Sequence, residues 1–328
     1  MHHYKEPPIL KGFNFSQGEI EDAIKNKKLL QIGIGTTGLC NYNCLYCFTE
    51  AGKAEKQELS NDEIKRVLKD AAKLGAKTWY IAERGEPLMH EGIADIVDYA
   101  NRLGMWVVVS TNGLLLSDEI AKSWLKKKVS FQVKVHFLNQ NRYAQLAGIS
   151  EAEFADYEGL SLPRGLALLL KNGYQNAKPP RAGIQATILK QNLKELPEIL
   201  RLGRKLGLCV HFEGLMMEGR AEKRPEIAPS KKEMKLLLGK LSKIDSEEFG
   251  MQPECAPTYF GFRKNCEIRL KYNLVIDSNG NAKVCYSNAP ELILGMNVRE
   301  HSLKEIQRKK FELLDKLPKG CVCIRGLK

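Results

Sequence analysis

From residue 31 onward, short apolar runs alternate with longer stretches in which apolar positions recur every three or four residues. The short runs predict strands and the longer ones predict amphipathic helices. The predicted strands cover residues 31–34, 77–82, 105–110, 129–136, 181–189 and 208–212. Strands that alternate with helices in this way indicate a parallel sheet with right-handed crossovers. We therefore predict an α/β fold, a partial (β/α)6 TIM-type barrel whose chemistry lies at the carboxyl ends of the strands.

The helix boundaries between these strands carry signals of their own. Ser60 and Glu63 form a capping box at the start of the first helix, which ends near Gly75. The other predicted helices cover residues 91–103, 163–172 and 197–206, and one more begins at Ser117.

A different pattern follows the predicted barrel. A helix near residues 230–241 leads to apolar runs at 268–276 and 282–286, which flank the turn-forming segment 277–281 and predict a β-hairpin. Ser302 caps one further helix. We expect four parts: an N-terminal extension (1–30), the barrel (31–224), a connecting helix (225–250) and a small C-terminal domain (251–328).

Alternate side chains of a barrel strand face the surrounding helices and the lumen. We expect apolar sets such as Phe131, Val133 and Val135 to meet the helices, which leaves a polar set for the lumen. That set is Gln132, Lys134, His136, Gln185, Thr187, Cys209, His211 and Glu213. Buried polar groups are costly unless they bind a ligand or one another. They are therefore candidates for a ligand pocket, and a satisfied internal hydrogen-bond network is the alternative.

Composition narrows the class of protein. The 328 residues are 43% hydrophobic and 27% charged, as in an ordinary globular protein. We find no apolar run of membrane-spanning length and no signal-peptide core, so we expect a cytoplasmic protein without a membrane partner. The net charge of +12 would suit an anionic partner such as RNA. The Lys residues are scattered and alternate with Glu, which favours a solvated surface instead.

Nine cysteines are unusual for such a chain. In a cytosolic protein, clustered cysteines indicate metal or redox chemistry more often than disulfides. Cys40, Cys44 and Cys47 lie in one short loop directly after the first predicted strand. A structural zinc site needs four ligands, and no fourth Cys or His lies nearby in the sequence. A ligand from elsewhere in the fold would complete a zinc site, so zinc stays the alternative to an iron–sulfur cluster.

The spacing Cys-x3-Cys-x2-Cys, with the aromatic Tyr46 before the last Cys, resembles the signature of radical S-adenosylmethionine (radical SAM) enzymes. Two further segments lie where that family has its cofactor contacts. The segment Arg84-Gly85-Glu86-Pro87 is similar to the Gly-Gly-Glu-Pro stretch that holds the SAM amino group, although Arg84 replaces the usual Gly. The segment Ser110-Thr111-Asn112-Gly113 resembles a common SAM-contacting turn. The resemblance spans about residues 31–214.

This resemblance implies a 4Fe-4S cluster on the three thiolates, with one iron left for the amino and carboxylate groups of SAM. The reduced cluster would cleave SAM to methionine and a 5′-deoxyadenosyl radical, which takes hydrogen from a substrate. Tyr46 would line the adenine, with core packing as the alternative, and the electron donor would be a flavodoxin or ferredoxin. Among the lumen residues, Lys134, His136 and Cys209 are catalytic candidates, and the others are candidates for binding SAM or substrate.

The later cysteines resemble the SPASM/Twitch type of auxiliary cluster domain. Cys266, Gly280 and Cys285 match the beginning of that pattern, and the segment 219–221 resembles the bridge that leads into it. The implied ligands of a second 4Fe-4S cluster are Cys266, Cys285, Cys321 and Cys323, with Cys255 as a substitute for one of them. Four thiolates suit zinc as well, so a zinc ribbon is the alternative.

These observations predict a radical SAM oxidoreductase that oxidises or cross-links a small molecule or peptide. Its auxiliary cluster would accept or relay electrons. The residues before the barrel are too few for a winged-helix peptide-binding domain, which favours a small molecule or short peptide. An epimerase with Cys209 as hydrogen donor is the second hypothesis, although a lone strand Cys often packs as a small hydrophobe. An RNA-binding protein with structural metal sites is the hypothesis from another class.

Overall fold

A computed structural model of the chain describes residues 5–252 and 270–316. Its strands are β1 (Gln31–Ile34), β2 (Thr78–Ile81), β3 (Trp106–Thr111), β4 (Val129–Lys134), β5 (Phe154–Tyr157), β6 (Leu160–Pro163), β7 (Ala182–Ile188), β8 (Cys209–Gly214), β9 (Asn273–Ile276), β10 (Asn281–Lys283) and β11 (Ile293–Asn297). Its α-helices are α1 (Gln17–Lys25), α2 (Asn61–Lys73), α3 (Ile93–Arg102), α4 (Asp118–Leu125), α5 (Gln140–Ala147), α6 (Arg164–Lys171), α7 (Leu196–Lys205), α8 (Lys231–Lys243) and α9 (Leu303–Leu314).

Nine strands form one sheet in the order β11-β10-β9-β1-β2-β3-β4-β7-β8. The neighbouring pairs from β1 to β8 are all parallel. These six parallel strands are the ones predicted from the sequence, and they form an open barrel wall. The predicted α/β partial barrel is therefore confirmed.

The helix-side core follows the predicted alternation. Phe131, Val133 and Val135 are fully buried in the cluster that also holds the apolar faces of α2, α3, α6 and α7. The opposite faces of these strands line the lumen. At the amino ends of the strands, Leu10 from the N-terminal segment packs on Tyr80, Val108 and Cys209. The amino-terminal side of the lumen is therefore closed by apolar contacts, and its polar residues lie towards the carboxyl ends.

The C-terminal hairpin extends this sheet. As predicted, β9 and β10 are antiparallel around the turn at residues 277–281. Strand β9 also pairs with β1 in parallel, along all four residues from Gln31 to Ile34. The described part of the C-terminal region is therefore continuous with the barrel sheet, and the division at residue 251 stays a prediction.

Four regions were not predicted as structured. Helix α1 begins with a capping box of Ser16 and Glu19, a signal that the sequence carries. Helix α5 and the β5–β6 hairpin lie between β4 and α6, and β11 adds an edge strand next to β10. Among the described residues, no helix is long and apolar enough to cross a lipid bilayer.

Candidate active site

The loop with the three candidate thiols follows β1 and packs against α5. The backbone N–H of Asn43 donates to the carbonyl oxygen of Ala147 at 2.9 Å, and that of Leu45 donates to Leu146 at 3.0 Å. Gly148 has a φ of +65°, and a Cβ atom on it would lie 2.3 Å from the carbonyl oxygen of Asn43. The unpredicted helix α5 thus fixes the path of the cysteine loop.

Cys40, Cys44 and Cys47 are partly buried, and their thiols lie close enough to influence one another electrostatically. Burial, with smaller contributions from the neighbouring Cys47 and Cys40, raises the pKa of Cys44 to about 12. Burial also raises the pKa of Cys40 to about 11. Three thiolates in one loop need a positive charge to offset their own, and a bound metal centre would supply it.

Residues 219–221 also contact the cysteine loop. The Arg220 guanidinium donates from Nε to the carbonyl oxygen of Cys44 at 2.8 Å and from Nη1 to that of Ala51 at 3.0 Å. Its backbone N–H donates to the carbonyl oxygen of Cys47 at 3.0 Å. Its positive charge also lowers the pKa of Cys44, against the larger effect of burial. This segment, which resembles the bridge into an auxiliary domain, therefore also holds the cysteine loop.

Glu218 connects this segment to the residues just after Cys285. Its carboxylate accepts hydrogen bonds from the Ser287 hydroxyl and, at 2.7 Å, from the Asn288 backbone N–H. Cys285, two residues before Ser287, is partly buried. Cys255, Cys266, Cys321 and Cys323 lie outside the described residues, so the second ligand set stays a prediction.

Glu86 lies at the carboxyl end of β2 and ties two predicted motifs together. Its carboxylate accepts a hydrogen bond from the Thr111 hydroxyl at 2.6 Å and from the Asn112 backbone N–H at 2.9 Å. Burial raises the pKa of the Glu86 carboxyl, and these hydrogen bonds oppose the rise. Pro87 begins a short 3-10 helix directly after it. The buried carboxyl therefore holds the turn after β3 at a fixed distance from β2.

The turn after β3 reaches the cysteine loop. The Asn112 side-chain amide donates from Nδ2 to Asn41 Oδ1 at 2.7 Å, and Asn41 directly follows Cys40. Asn41 and Thr111 were not among the residues predicted for the site. Their positions next to Cys40 and Asn112 in the sequence are the signals that could have identified them.

Arg84, the departure from the family pattern, points to the segment after the cysteine loop. Its Nη2 atom lies 2.8 Å from Glu55 Oε1. In the same segment, Glu58 accepts hydrogen bonds from the backbone N–H groups of Gly38, at 2.5 Å, and Glu55, at 2.9 Å. The Arg84 side chain therefore binds a neighbouring loop.

A hydrogen-bond network crosses the lumen between β3, β4, β7 and β8. The Ser110 hydroxyl donates to Gln185 Oε1 at 2.6 Å, and Gln185 Nε2 donates to the Glu213 carboxylate. Lys134 Nζ lies 3.4 Å from Glu213 Oε2, and His211 Nε2 lies 3.8 Å from Glu213 Oε1. Burial alone would raise the pKa of Glu213, but Lys134, His211 and the hydrogen bonds outweigh it, so the pKa is lowered.

Gln132 and Cys209 differ from the other lumen residues, the first in its hydrogen bonding and the second in its apolar surroundings. Gln132 is 2% exposed, and its Oε1 atom has no hydrogen-bond partner among the described residues. A buried amide oxygen of this kind is suited to a donor on a ligand. Cys209 begins β8 at the closed, apolar end of the lumen, where burial raises its pKa to about 11. Its role as a hydrogen donor stays a prediction, and its position under Leu10 gives that role no support.

His136 follows β4 and contacts both β7 and the cysteine loop. Its Nδ1 atom accepts a hydrogen bond from the Thr187 backbone N–H at 3.2 Å, and its Nε2 atom contacts the Tyr46 hydroxyl. Burial lowers the pKa of His136 to about 3, so the imidazole is neutral near pH 7. The structure thus joins three residues that were predicted separately.

The sequence left two metal centres open for the cysteine loop, a zinc ion and an iron–sulfur cluster, and the surrounding side chains can be compared with each. Among residues 5–252 and 270–316, no three His, Cys, Asp or Glu side chains are gathered as a site for a single metal ion. Within these ranges the cysteine loop therefore has no four-ligand shell for zinc. Three thiols with no fourth ligand among the described residues fit a cubane cluster with one iron left for another chelator.

Comparison with known proteins gives a family match over this region. Residues 34–159 match the family model described as the Radical SAM superfamily. They include the cysteine loop, Glu86 and the turn after β3.

Curated relatives match over part of their length. The chain is 28% identical over 231 residues to an AdoMet-dependent heme synthase of Methanosarcina barkeri, covering 68% of this chain and 61% of that protein. It is 26% identical over 186 residues to the mycofactocin maturase MftC of Mycolicibacterium smegmatis, covering 56% and 44% respectively. The chain thus spans about half the length of the curated relatives that it matches.

Solved structures share the fold. Streptococcus suis SuiB bound to S-adenosylmethionine aligns with a TM-score of 0.65 and 14% identity, over 89% of this chain and 71% of SuiB. The structure of anSMEcpe with bound AdoMet aligns with a TM-score of 0.64 and 14% identity, over 91% of this chain and 90% of that one. The cysteine loop, Glu86 and the turn after β3 meet at neighbouring strand ends, and all three lie within the residues that match the Radical SAM superfamily.

Proposed function

We propose that this protein is a radical SAM enzyme that oxidises or cross-links a small-molecule or peptide substrate. The observation that carries the proposal is the contact of three motifs at the carboxyl ends of β1, β2 and β3. Glu86 binds the turn at Asn112, and Asn112 binds Asn41 beside Cys40. Motifs far apart in the sequence thus form one site.

Cys40, Cys44 and Cys47 would hold a 4Fe-4S cluster, and the turn at Ser110 and Asn112 would hold SAM beside it. When bound, the cluster and SAM supply a 5′-deoxyadenosyl radical that abstracts hydrogen from the substrate. The chain's own contribution is to hold these groups in a fixed geometry away from water. The buried Glu86 carboxyl and the Arg220 guanidinium serve that purpose, because each binds two segments of the site.

The substrate would enter the polar part of the lumen. Lys134, His211 and Glu213 are partly exposed there, and Gln132 offers an unpartnered amide oxygen. Both signs of charge are present, which suits a substrate with polar groups, such as an amino-acid side chain or a sugar. Oxidation is favoured over epimerisation because Cys209 lies beneath this polar layer, packed against Leu10.

A second cluster would use Cys285 together with Cys266, Cys321 and Cys323, or with Cys255 in place of one of them. Support comes from Glu218, which contacts Ser287 and Asn288 just after Cys285. Arg220, two residues further along the chain, contacts the cysteine loop. Residues 218–220 thus contact both the segment after Cys285 and the cysteine loop. The auxiliary cluster would accept the electron from the substrate radical or relay electrons to the first cluster.

The substrate class has support from relatives. Their names include a heme synthase and a maturase, and SuiB has been solved with its precursor peptide SuiA, which favours a small molecule or a peptide for this chain as well. A flavodoxin or ferredoxin would be the reducing partner. The RNA-binding alternative would instead use the metal sites only as structural elements.

Metal analysis after anaerobic reconstitution tests the cluster assignment. We expect about eight irons per chain for two 4Fe-4S clusters, and about four in Cys44→Ala and in Cys285→Ser. Cys209→Ala is the matched control, because it removes a buried thiol that is assigned to neither cluster, and it should keep the full iron content. Stoichiometric zinc in place of iron would support the RNA-binding alternative.

Cleavage of SAM tests the activity directly. We expect the wild-type protein to form 5′-deoxyadenosine with dithionite as reductant, and Cys44→Ala to form none. If Cys44→Ala still cleaved SAM, the assignment of the first cluster would be wrong.

A further inference from the structure

A buried ion pair joins the C-terminal hairpin to the β2 loop, residues 82–87, which carries the second predicted motif. Lys283 Nζ, on β10, donates to Oε1 of Glu83, the residue directly before that motif. Both side chains are 3% exposed. Separating the two charges would leave each one uncompensated in the interior, which is costly, so the contact keeps the hairpin and the β2 loop together.

Two glycines of the cysteine-loop strand make room for this contact. Strands β1 and β9 lie between β2 and β10 in the sheet. Gly35 directly follows β1, and a Cβ atom on it would lie 3.1 Å from Glu83 Oε2 and 3.2 Å from Glu83 Cβ. Within β1, a Cβ atom on Gly33 would lie 2.4 Å from the Tyr286 hydroxyl oxygen. Glycine at both positions thus leaves this face of β1 open to side chains from β2 and from the region after β10.

Asn288 extends the ion pair towards the cysteine loop. Its Oδ1 atom accepts a hydrogen bond from Lys283 Nζ at 3.0 Å. Its backbone N–H donates to Glu218 at 2.7 Å. Two residues after Glu218, Arg220 donates to the carbonyl oxygen of Cys44 at 2.8 Å. Lys283 therefore lies between the β2 loop and the segment that holds the cysteine loop.

We propose that Glu83 and Lys283 are positioning residues for SAM, and that their ion pair holds the β2 loop at the distance from the cysteine loop that SAM binding needs. The proposal rests on the proposed function, because the β2 loop contacts SAM only if the chain binds SAM. Glu86 fixes this loop on the side of β3, through Thr111 and Asn112, and the ion pair fixes it on the side of β1 and β9. A loop that is already held in its bound position has less order to gain when the ligand binds, so the affinity is higher.

The double variant Glu83→Gln/Lys283→Met tests the proposal, because it removes both charges and leaves no uncompensated charge in the interior. The matched control is Asp245→Asn/Arg204→Met, which removes a fully buried ion pair between α7 and the segment after α8. SAM binding is measured by anaerobic equilibrium dialysis of the reconstituted proteins without reductant, so that no SAM is cleaved. We expect the Kd for SAM to rise about tenfold or more in the first variant, the size of one lost hydrogen bond to a charged group, and to stay at the wild-type value in the control.

Dialysis separates a positioning role from a general loss of folded protein. Unfolding lowers the number of SAM sites per chain, whereas a displaced β2 loop raises the Kd of every site. Asn288→Ala is a milder second variant, because it keeps the ion pair and removes only the Oδ1 partner of Lys283. Its Kd should lie between those of the wild type and the double variant, and it carries the test if the double variant does not fold.

A wild-type Kd in the double variant, or in Asn288→Ala where the double variant does not fold, would overturn the proposal. An equal rise of the Kd in the control would overturn it as well, because the effect would then not depend on the β2 loop. A wild-type chain that binds no SAM would instead refute the proposed function on which the proposal rests.

Discussion

Gly85 is the position at which the close contact between the β2 and cysteine loops can be tested most directly. It has a φ of +75°, and a Cβ atom placed on it would lie 2.2 Å from the carbonyl oxygen of Thr37 and 2.5 Å from that of Leu39. Both oxygens belong to the backbone just before Cys40, so no flexible side chain can move aside. Gly85→Ala therefore has to push the start of the cysteine loop away from Glu86.

The size of the effect follows from these distances. Contacts of a Cβ atom below 3.0 Å are essentially never found, so the two backbones must separate by about 1 Å. A displacement of about 1 Å between reacting groups can reduce a rate by about a hundredfold. The left-handed backbone adds about 1–2 kcal/mol of strain for any residue with a Cβ atom.

Gly104→Ala is the matched control. Gly104 has a φ of +84°, but a Cβ atom on it would meet nothing within 4 Å. Both variants should lose about 1–2 kcal/mol in urea unfolding from the left-handed strain alone. We expect only Gly85→Ala to lose about a hundredfold in the rate of 5′-deoxyadenosine formation at saturating dithionite. Equal rates in the two variants would refute the idea that this contact sets the geometry of the SAM site.

Three further predictions concern the support of the site and the stability of the fold. Arg220→Met leaves the carbonyl oxygens of Cys44 and Ala51 without their charged donor, which costs about 1–3 kcal/mol of stability for each oxygen. The variant should therefore retain less iron after reconstitution. Full iron retention would contradict the role of Arg220. Asp245→Ala leaves the fully buried guanidinium of Arg204 without its bidentate partner, and should cost about 3–5 kcal/mol in urea unfolding, so a loss below about 1 kcal/mol would count against a buried pair. Burial lowers the pKa of Lys310 to about 7, so the folded chain binds fewer protons than the unfolded chain between about pH 7 and pH 10. Its stability should therefore rise with pH across that window, by up to about 1.4 kcal/mol per pH unit, and Lys310→Met should flatten the slope; an unchanged slope would show that other groups cause it.

Much of the fold could be predicted because its signals are local. The barrel strands are short apolar runs with alternating faces, and Ser60, Ser230 and Ser302 each begin a helix with a capping box. These patterns depend only on neighbouring residues, so the sequence shows them directly. Helix α1 carries the same signal at Ser16 and could have been predicted on the same grounds.

The pairing of β9 with β1 could not be predicted in this way. About 240 residues separate Gln31 from Asn273, and a strand's own sequence does not specify which distant edge it will meet. The position of α5 behind the cysteine loop depends on the same kind of long-range packing.

The sequence by itself determined the chemistry that is available: three closely spaced thiols, a carboxylate after the second strand, and a polar face on the strands that form the lumen. These follow from residue type and spacing, which are local properties. Only the tertiary structure decided which of these groups touch one another. Arg220 meets Cys44 across 176 residues of sequence, and Glu86 meets Asn112 across 26. The tertiary structure also packed Cys209 against Leu10 and brought His136 into contact with Tyr46, because burial and hydrogen-bond partners arise only when distant segments pack together.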